Sequence, residues 1–203
     1  MKASFIRALS PVLFVTSLLV LVVSHSNTWL KQVRTPVSRS YTYRGADFPH
    51  TWPLPALPTV HLTHEDGTHY AIDTPLGIAQ WNATLPRGGA LVRLGPDLRP
   101  FTLSFFHQLR CLNIIRGALM DVYRGVPEET RREKHRIVHH CLNYVRQTVM
   151  CRADTRLETV RAPTGRPITV SDITHTCKDW TAVYKAAEEN YDQYAAQMGD
   201  GER

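Results

Sequence analysis

Apolar residues are spread unevenly along the chain, and each run has its own period. From Ala8 to Val23 the positions are almost all Leu, Val, Phe and Ala, with Lys2 and Arg7 in front and no acid before Asp47. That run is shorter than the roughly 20 apolar residues that span a bilayer comfortably, but Ser24 to Leu30 lengthen it and Trp29 suits an interfacial anchor. Residues 1–30 therefore read as a signal anchor or single-pass transmembrane helix with the remaining chain lumenal. The alternative is secretion after cleavage at Ser24-His25-Ser26, a small-x-small triplet. Residues 31–59, with Pro49, Pro53, Pro55 and Pro58, read as an extended Pro-rich linker, because proline removes the amide donor that a helix needs.

The period changes at Val60. From there to Asp73 apolar and polar residues alternate about Asp66-Gly67, the pattern of a β-hairpin. His61, His64 and His69 fall in this stretch and read as strand residues facing solvent. After a Gly/Pro-rich loop from Pro86 to Pro100, Leu103, Phe106, Cys111, Ile114, Ile115 and Leu119 mark a helix over about Thr102–Arg124. Gly125-Val126-Pro127 breaks it, and a second helix runs to about Cys151. A third, capped by Ser171 or Thr174, carries Trp180, Val183, Tyr184, Ala187, Tyr191 and Tyr194 as a core stripe. The expected fold is mainly α with a small β-hairpin (α+β): a lumenal domain over 60–203 built on an antiparallel helix pair plus a C-terminal helix.

Composition narrows the function. A hydrophobic fraction of 43% in 203 residues suits one globular domain. The net charge of +6 comes largely from Arg131, Arg132, Lys134, Arg136, Arg146, Arg152 and Arg156, the solvated face of the second helix and its end. With no recognition motif, this predicts no nucleic-acid partner. Asn82-Ala83-Thr84 is an N-glycosylation acceptor, consistent with a lumenal position.

Candidate chemistry lies in His107-Gln108-Leu109-Arg110-Cys111 and His139-His140-Cys141, one on each paired helix. Imidazole and thiol are the side chains that ligate transition metals. Four cysteines, Cys111, Cys141, Cys151 and Cys177, allow two disulfides in a lumenal domain. Cys141 and Cys151 are separated by roughly 15 Å along one helix, beyond the ~7 Å Cα separation that a bridge tolerates. Folding the helices back about Val126 sets Cys111 opposite Cys141, which leaves Cys151 for Cys177. His107 and His140 then flank the first pair, offset by about 7 Å along the helix axis. Two imidazoles suit copper, zinc or iron, with His139, His175, a carboxylate or water as a third ligand.

The strings Phe106–Leu112, His140–Gln147, Cys151–Glu158 and His175-Thr176-Cys177-Lys178-Asp179-Trp180 resemble the fungal ustiloxin-cluster oxidase family (UstYa-like), from about Tyr43-Arg44-Gly45 onward. The resemblance implies a single-pass secretory-pathway protein of secondary metabolism. It also implies an oxidase that cyclises or hydroxylates a ribosomally made peptide or related metabolite, with copper as the metal. The family pattern is two His-x-x-His-Cys motifs, and both are altered here: Arg110 stands for the second histidine of the first, Ile137 for the first histidine of the second. A guanidinium cannot ligate as an imidazole does.

Two functions follow. In one, His107 and His140 (with His139) hold copper, with Cys111 and Cys141 as clamp or further ligands, and the protein oxidises a peptide or small metabolite. In the other, it is a degenerate, non-catalytic partner that binds substrate or forms a hetero-oligomer with an intact family member.

Overall fold

A computed structural model of the chain describes residues 15–25, 40–65, 67–159 and 173–199. By their internal contacts the residues divide into two units, Met1–Ser40 and Tyr41–Arg203. In the first, residues 15–25 form helix α1. Its Leu18, Leu19, Val20, Leu21 and Val22 are each more than half exposed. The rest of the expected anchor, 1–14 and 26–30, lies outside the described residues. No helix among the described residues is long and apolar enough to cross a membrane.

The second unit contains β1 (Thr59–Thr63), α2 (Pro75–Asn82), β2 (Leu91–Leu94), β3 (Arg99–Thr102), α3 (Ser104–Tyr123), α4 (Glu128–Arg152), β4 (Thr174–Lys178) and α5 (Trp180–Met198). Its central feature is the α3/α4 hairpin, read correctly from the sequence to within about two residues at each end. The turn is closed by a specific hydrogen-bond pair: the Val126 amide donates to the Asp121 carbonyl at 2.9 Å and the Gly125 amide to the Val122 carbonyl at 3.1 Å. That Schellman arrangement needs a left-handed residue just past the helix, and Gly125 supplies it at φ 67°. Lys134 Nζ reaches Asp121 at 2.8 Å and Arg131 Nε donates to the Val126 carbonyl at 2.9 Å, tying the start of α4 to the turn. Glu128 and Glu129 in the first turn of α4 and Arg152 in its last match the helix dipole.

The β structure differs from the sequence expectation. Residues 59–63 are a strand, but β1 pairs antiparallel with β4, Val60 opposite Cys177 and Leu62 opposite His175, and not with residues 67–73. Asp66 itself lies outside the described residues. Alternation specifies a half-buried strand but not its partner, and here the partner is more than a hundred residues away. The hairpin of the fold is β2–β3, which begins inside the stretch expected to be loop and runs two residues past it, with Val92 opposite Phe101. Thr174, expected to cap the last helix, lies in β4, and Asp179 caps α5 by accepting from the Thr181 amide at 2.9 Å. Ser171 is outside the described residues.

α2 is a further element that the sequence reading passed over. Thr74 caps it by accepting from the Gly77 amide at 3.0 Å, with Pro75 at the first helical position. Gly77 is fixed by contact: a Cβ there would fall 2.0 Å from the Ala71 carbonyl oxygen. Part of the expected linker also belongs to the folded unit. Arg44 pairs with Asp97 at 2.6 Å, and the rings of Phe48 and Phe101 stand 5.2 Å apart. Aromatic residues between the prolines account for this, since Tyr43, Phe48 and Trp52 have β3 and its surroundings to pack on.

The core consists of Ala90, Val92, Phe106 and Ala187, with Leu103, Leu109, Val183 and Tyr184 packed around it. It joins the hairpin to α3 and α5. Asn190 completes that joint from α5: its amide oxygen accepts from the Arg93 amide at 2.6 Å and its nitrogen donates to the Arg93 carbonyl at 2.9 Å, as a neighbouring strand would. Phe106, fully buried, therefore sets the angle of α3 one residue before His107.

Candidate functional site

The contact between α3 and α4 brings the two motif remnants together. Cys111 and Cys141 are each 1% exposed and meet across the hairpin, their thiols in hydrogen-bonding contact. Burial, reinforced by Cys141, pushes the Cys111 thiol up to about 12, so it is protonated at neutral pH. His107, one turn before Cys111, and His140, next to Cys141, hold their rings 5.6 Å apart with planes inclined by 21°. Tyr144, one turn beyond His140 on the same face of α4, stacks on His107. Its ring lies 4.1 Å from that of His107 and 6.2 Å from that of His140.

Electrostatics favour a neutral His107. Its pKa is held below the usual imidazole value first by burial, then by His140 and by Arg110. A neutral ring keeps a nitrogen lone pair, which metal ligation or hydrogen-bond acceptance requires. The Tyr144 phenol is raised above its ordinary value by burial and then by the Cys111 thiol, so it stays protonated as a donor. Tyr144 is not among the residues expected from sequence, although its i+4 spacing from His140 places it on the face that carries the histidine.

The remaining expected residues are placed elsewhere. His139 is exposed, and its ring pairs with that of His135 at 6.4 Å, one turn back on α4, not with His107. The reason is angular: adjacent helical residues point about 100° apart, so His139 and His140 cannot face the same partner. Ile137 is 47% exposed. Arg110 turns the other way, donating from Nη2 to the carbonyl of Gly89 and so bracing the loop before β2. His175, on β4, is stacked on His64 at 4.5 Å, and its Nε2 is buried without a hydrogen-bond partner, 3.6 Å from Glu158 Oε1. All four cysteines are unpaired thiols, with Cys151 exposed at the end of α4 and Cys177 half-buried on β4. Asn82 is exposed at the last position of α2, and its oxygen accepts from the Asn113 amide at 2.9 Å.

A metal can therefore draw on two imidazoles here. Each ring centroid would stand about 3 Å from an ion bound at ~2.0 Å to its nitrogen, and 5.6 Å between centroids is compatible with one shared ion. A third donor does not join them: no group of three or more His, Cys, Asp or Glu side chains among the described residues is arranged to hold a metal. The fit is thus partial.

Comparison with known proteins agrees with the region that forms the cluster. The family described as "Mycotoxin biosynthesis protein UstYa" matches residues 93–190. The chain is 35% identical to the oxidase ustYa of Aspergillus flavus, over 43% of this chain and 40% of that protein. It is 29% identical to the UstYa family oxidase phomYb of Diaporthe leptostromiformis, over 54% of this chain and 49% of the relative. With the hydroxylase cctR of Talaromyces islandicus it shares 30% identity, over 50% of this chain and 38% of the relative. The chain thus spans less than half the length of each of these three relatives. No solved structure matches it. The matched stretch runs from β2 through β3, α3, α4 and β4 into α5, with His107, Cys111, His140, Cys141 and Tyr144 inside it, and over that stretch the chain is similar to the UstYa family.

Proposed function

We propose that the chain is a metal-dependent oxidase of fungal secondary metabolism whose working centre is the pair His107 and His140, with copper as the metal. The observation that carries this reading is the meeting of the two rings at 5.6 Å across the α3/α4 contact, with His107 held neutral. The relatives named oxidases and a hydroxylase support the reaction class. A copper ion bound there would supply one-electron chemistry toward oxygen, and nitrogen ligands favour copper among the divalent metals. The protein's own part is to hold the two imidazoles with Phe106 and the buried thiol pair, and to keep a protonated Tyr144 phenol beside His107. The substrate in this reading is a ribosomally made peptide or a related small metabolite, cyclised or hydroxylated.

The same proposal includes the secretory setting. Helix α1 presents an apolar surface about 16 Å long at the standard rise, which longer flanks would extend into a single-pass anchor with the domain lumenal. In that compartment Cys111 would be bridged to Cys141 and Cys151 to Cys177. Asn82 would carry a glycan, since the Asn113 contact occupies its oxygen and not its nitrogen.

Metal content and oxygen consumption of the purified protein, compared with His107→Ala and His140→Ala, test the assignment. Loss of both in each variant is expected, whereas full activity in both would refute it. One observation favours a second reading, a non-catalytic partner of an intact family member: Arg110 is committed to Gly89 and Ile137 faces outward, so each motif supplies a single imidazole. That reading requires a folded, metal-free protein that becomes necessary for oxidation only when the intact relative is added.

A further inference from the structure

A cavity of about 650 Å³ opens between β1, α2, α3 and α5, and the proposed oxidation does not use it. Phe105, Leu109 and Leu112 form its α3 wall. His107 lies on the other side of that helix, roughly 200° around the axis from Leu109 at the standard ~100° per residue. The volume is within the range of small-molecule sites.

Two properties of the lining define an occupant. Tyr70, Trp81, Trp180 and Tyr184 join Phe105 in the wall, so five aromatic rings share it with aliphatic side chains. Two of these rings are already fixed: Trp81 Nε1 donates to the Tyr70 carbonyl at 2.8 Å, and the Tyr184 hydroxyl donates to the Thr84 carbonyl at 2.6 Å. A rigid aromatic wall favours a flat aromatic body, which gains edge-to-face contacts that a flexible alkyl chain does not. The charged members of the lining are Arg152, from the end of α4, and Lys178, from β4, and the lining contains no acidic residue. Neither makes an ion pair or side-chain hydrogen bond among the described residues. Arg87, Arg93 and Arg99, by contrast, each have a carboxylate, carbonyl or ring partner.

We propose that this cavity is a binding site for a small aromatic carboxylate, its rings against Trp81, Phe105, Trp180 and Tyr184 and its carboxylate between Arg152 and Lys178. The inference does not depend on the oxidase reading, because binding is measured without turnover and on the other face of α3.

Isothermal titration calorimetry of the full chain with biphenyl-4-carboxylate, biphenyl-4-carboxamide and decanoate tests it. The aromatic acid should bind one site with a Kd below about 1 mM. The amide should bind at least about tenfold more weakly, since it loses the charge-assisted bonds. Arg152→Gln/Lys178→Gln should reduce affinity for the acid to that of the amide with an unchanged melting temperature, and His107→Ala should leave it unaltered. Equal binding of acid and amide, or of wild type and the double variant, would overturn the proposal. Tighter binding of decanoate would replace the aromatic occupant with an aliphatic acid. Absence of binding by all three probes would mean that the cavity is filled by the chain itself, and would equally overturn the site.

Discussion

The thiol pair gives a prediction whose size can be worked out. Cys111 and Cys141 already touch inside the α3/α4 contact, so a bridge would need little movement of either helix. Closing a loop of about 30 residues removes roughly 12 cal/mol/K from the unfolded chain, or about 3.6 kcal/mol at room temperature. For a protein of this size each kcal/mol shifts the melting temperature by about 2–4 °C, so the oxidised form should melt ~7–14 °C above the reduced form. The route to the bridge is constrained as well. Because Cys111 is pushed up to about 12, its thiolate is scarce at neutral pH, and spontaneous oxidation should accelerate as pH rises. Differential scanning calorimetry with and without reductant, paired with peptide mapping under non-reducing conditions, measures both quantities. Recovery of Cys111 joined to Cys151, or a melting temperature that reductant leaves unchanged in mapped Cys111–Cys141 protein, would refute the reasoning.

Other outcomes follow from single contacts. Asn190→Ala removes two half-buried hydrogen bonds to Arg93 and should cost about 1–3 kcal/mol in urea unfolding, whereas a surface change such as Gln193→Ala should cost almost nothing. His107 has a folded-state pKa below its unfolded value near 6.5, so the unfolded chain binds more protons on acidification and stability falls as pH drops below about 6.5. His107→Gln should flatten that slope in pH-dependent melting curves, and an unchanged slope would remove His107 as its source. Cys111 behaves oppositely in reduced protein: its raised value means that stability is complete below about pH 9 and declines above it, which Cys111→Ala should abolish. Arg110→His restores a second imidazole to the first motif at the loss of the Gly89 contact. Copper retained after dialysis should rise relative to wild type; no rise would show that a third imidazole at this position is not what the pair lacks.

How much of this was legible in the sequence depended on the range of the interaction. The helix hairpin was readable because periodicity, the Gly125-Val126-Pro127 break and equal spacing about it are local signals, and together they fixed Cys111 opposite Cys141. The β pairing was not. Val60–Thr63 carries the alternation of a strand, but its partner Thr174–Lys178 has no turn linking the two, and the nearest candidate was the wrong one. Strand partners are chosen by what else must be buried, and here β4 is drawn to β1 because Asp179, next along, donates its amide to the Pro58 carbonyl at 2.8 Å and starts α5 over the core.

The site shows the same division at the scale of one helical turn. His107 and His140 were identified because each neighbours a cysteine that the hairpin forces inward. His139 was grouped with them on adjacency in sequence, which a helix converts into divergence in space, while Tyr144, four residues on, is brought against His107. Side-chain direction therefore selects His140 over His139 and adds Tyr144. His139 therefore does not complete a metal centre with His107 and His140, and no third His, Cys, Asp or Glu joins the pair among the described residues, so an imidazole restored at 110 is the direct test of what a further ligand would add.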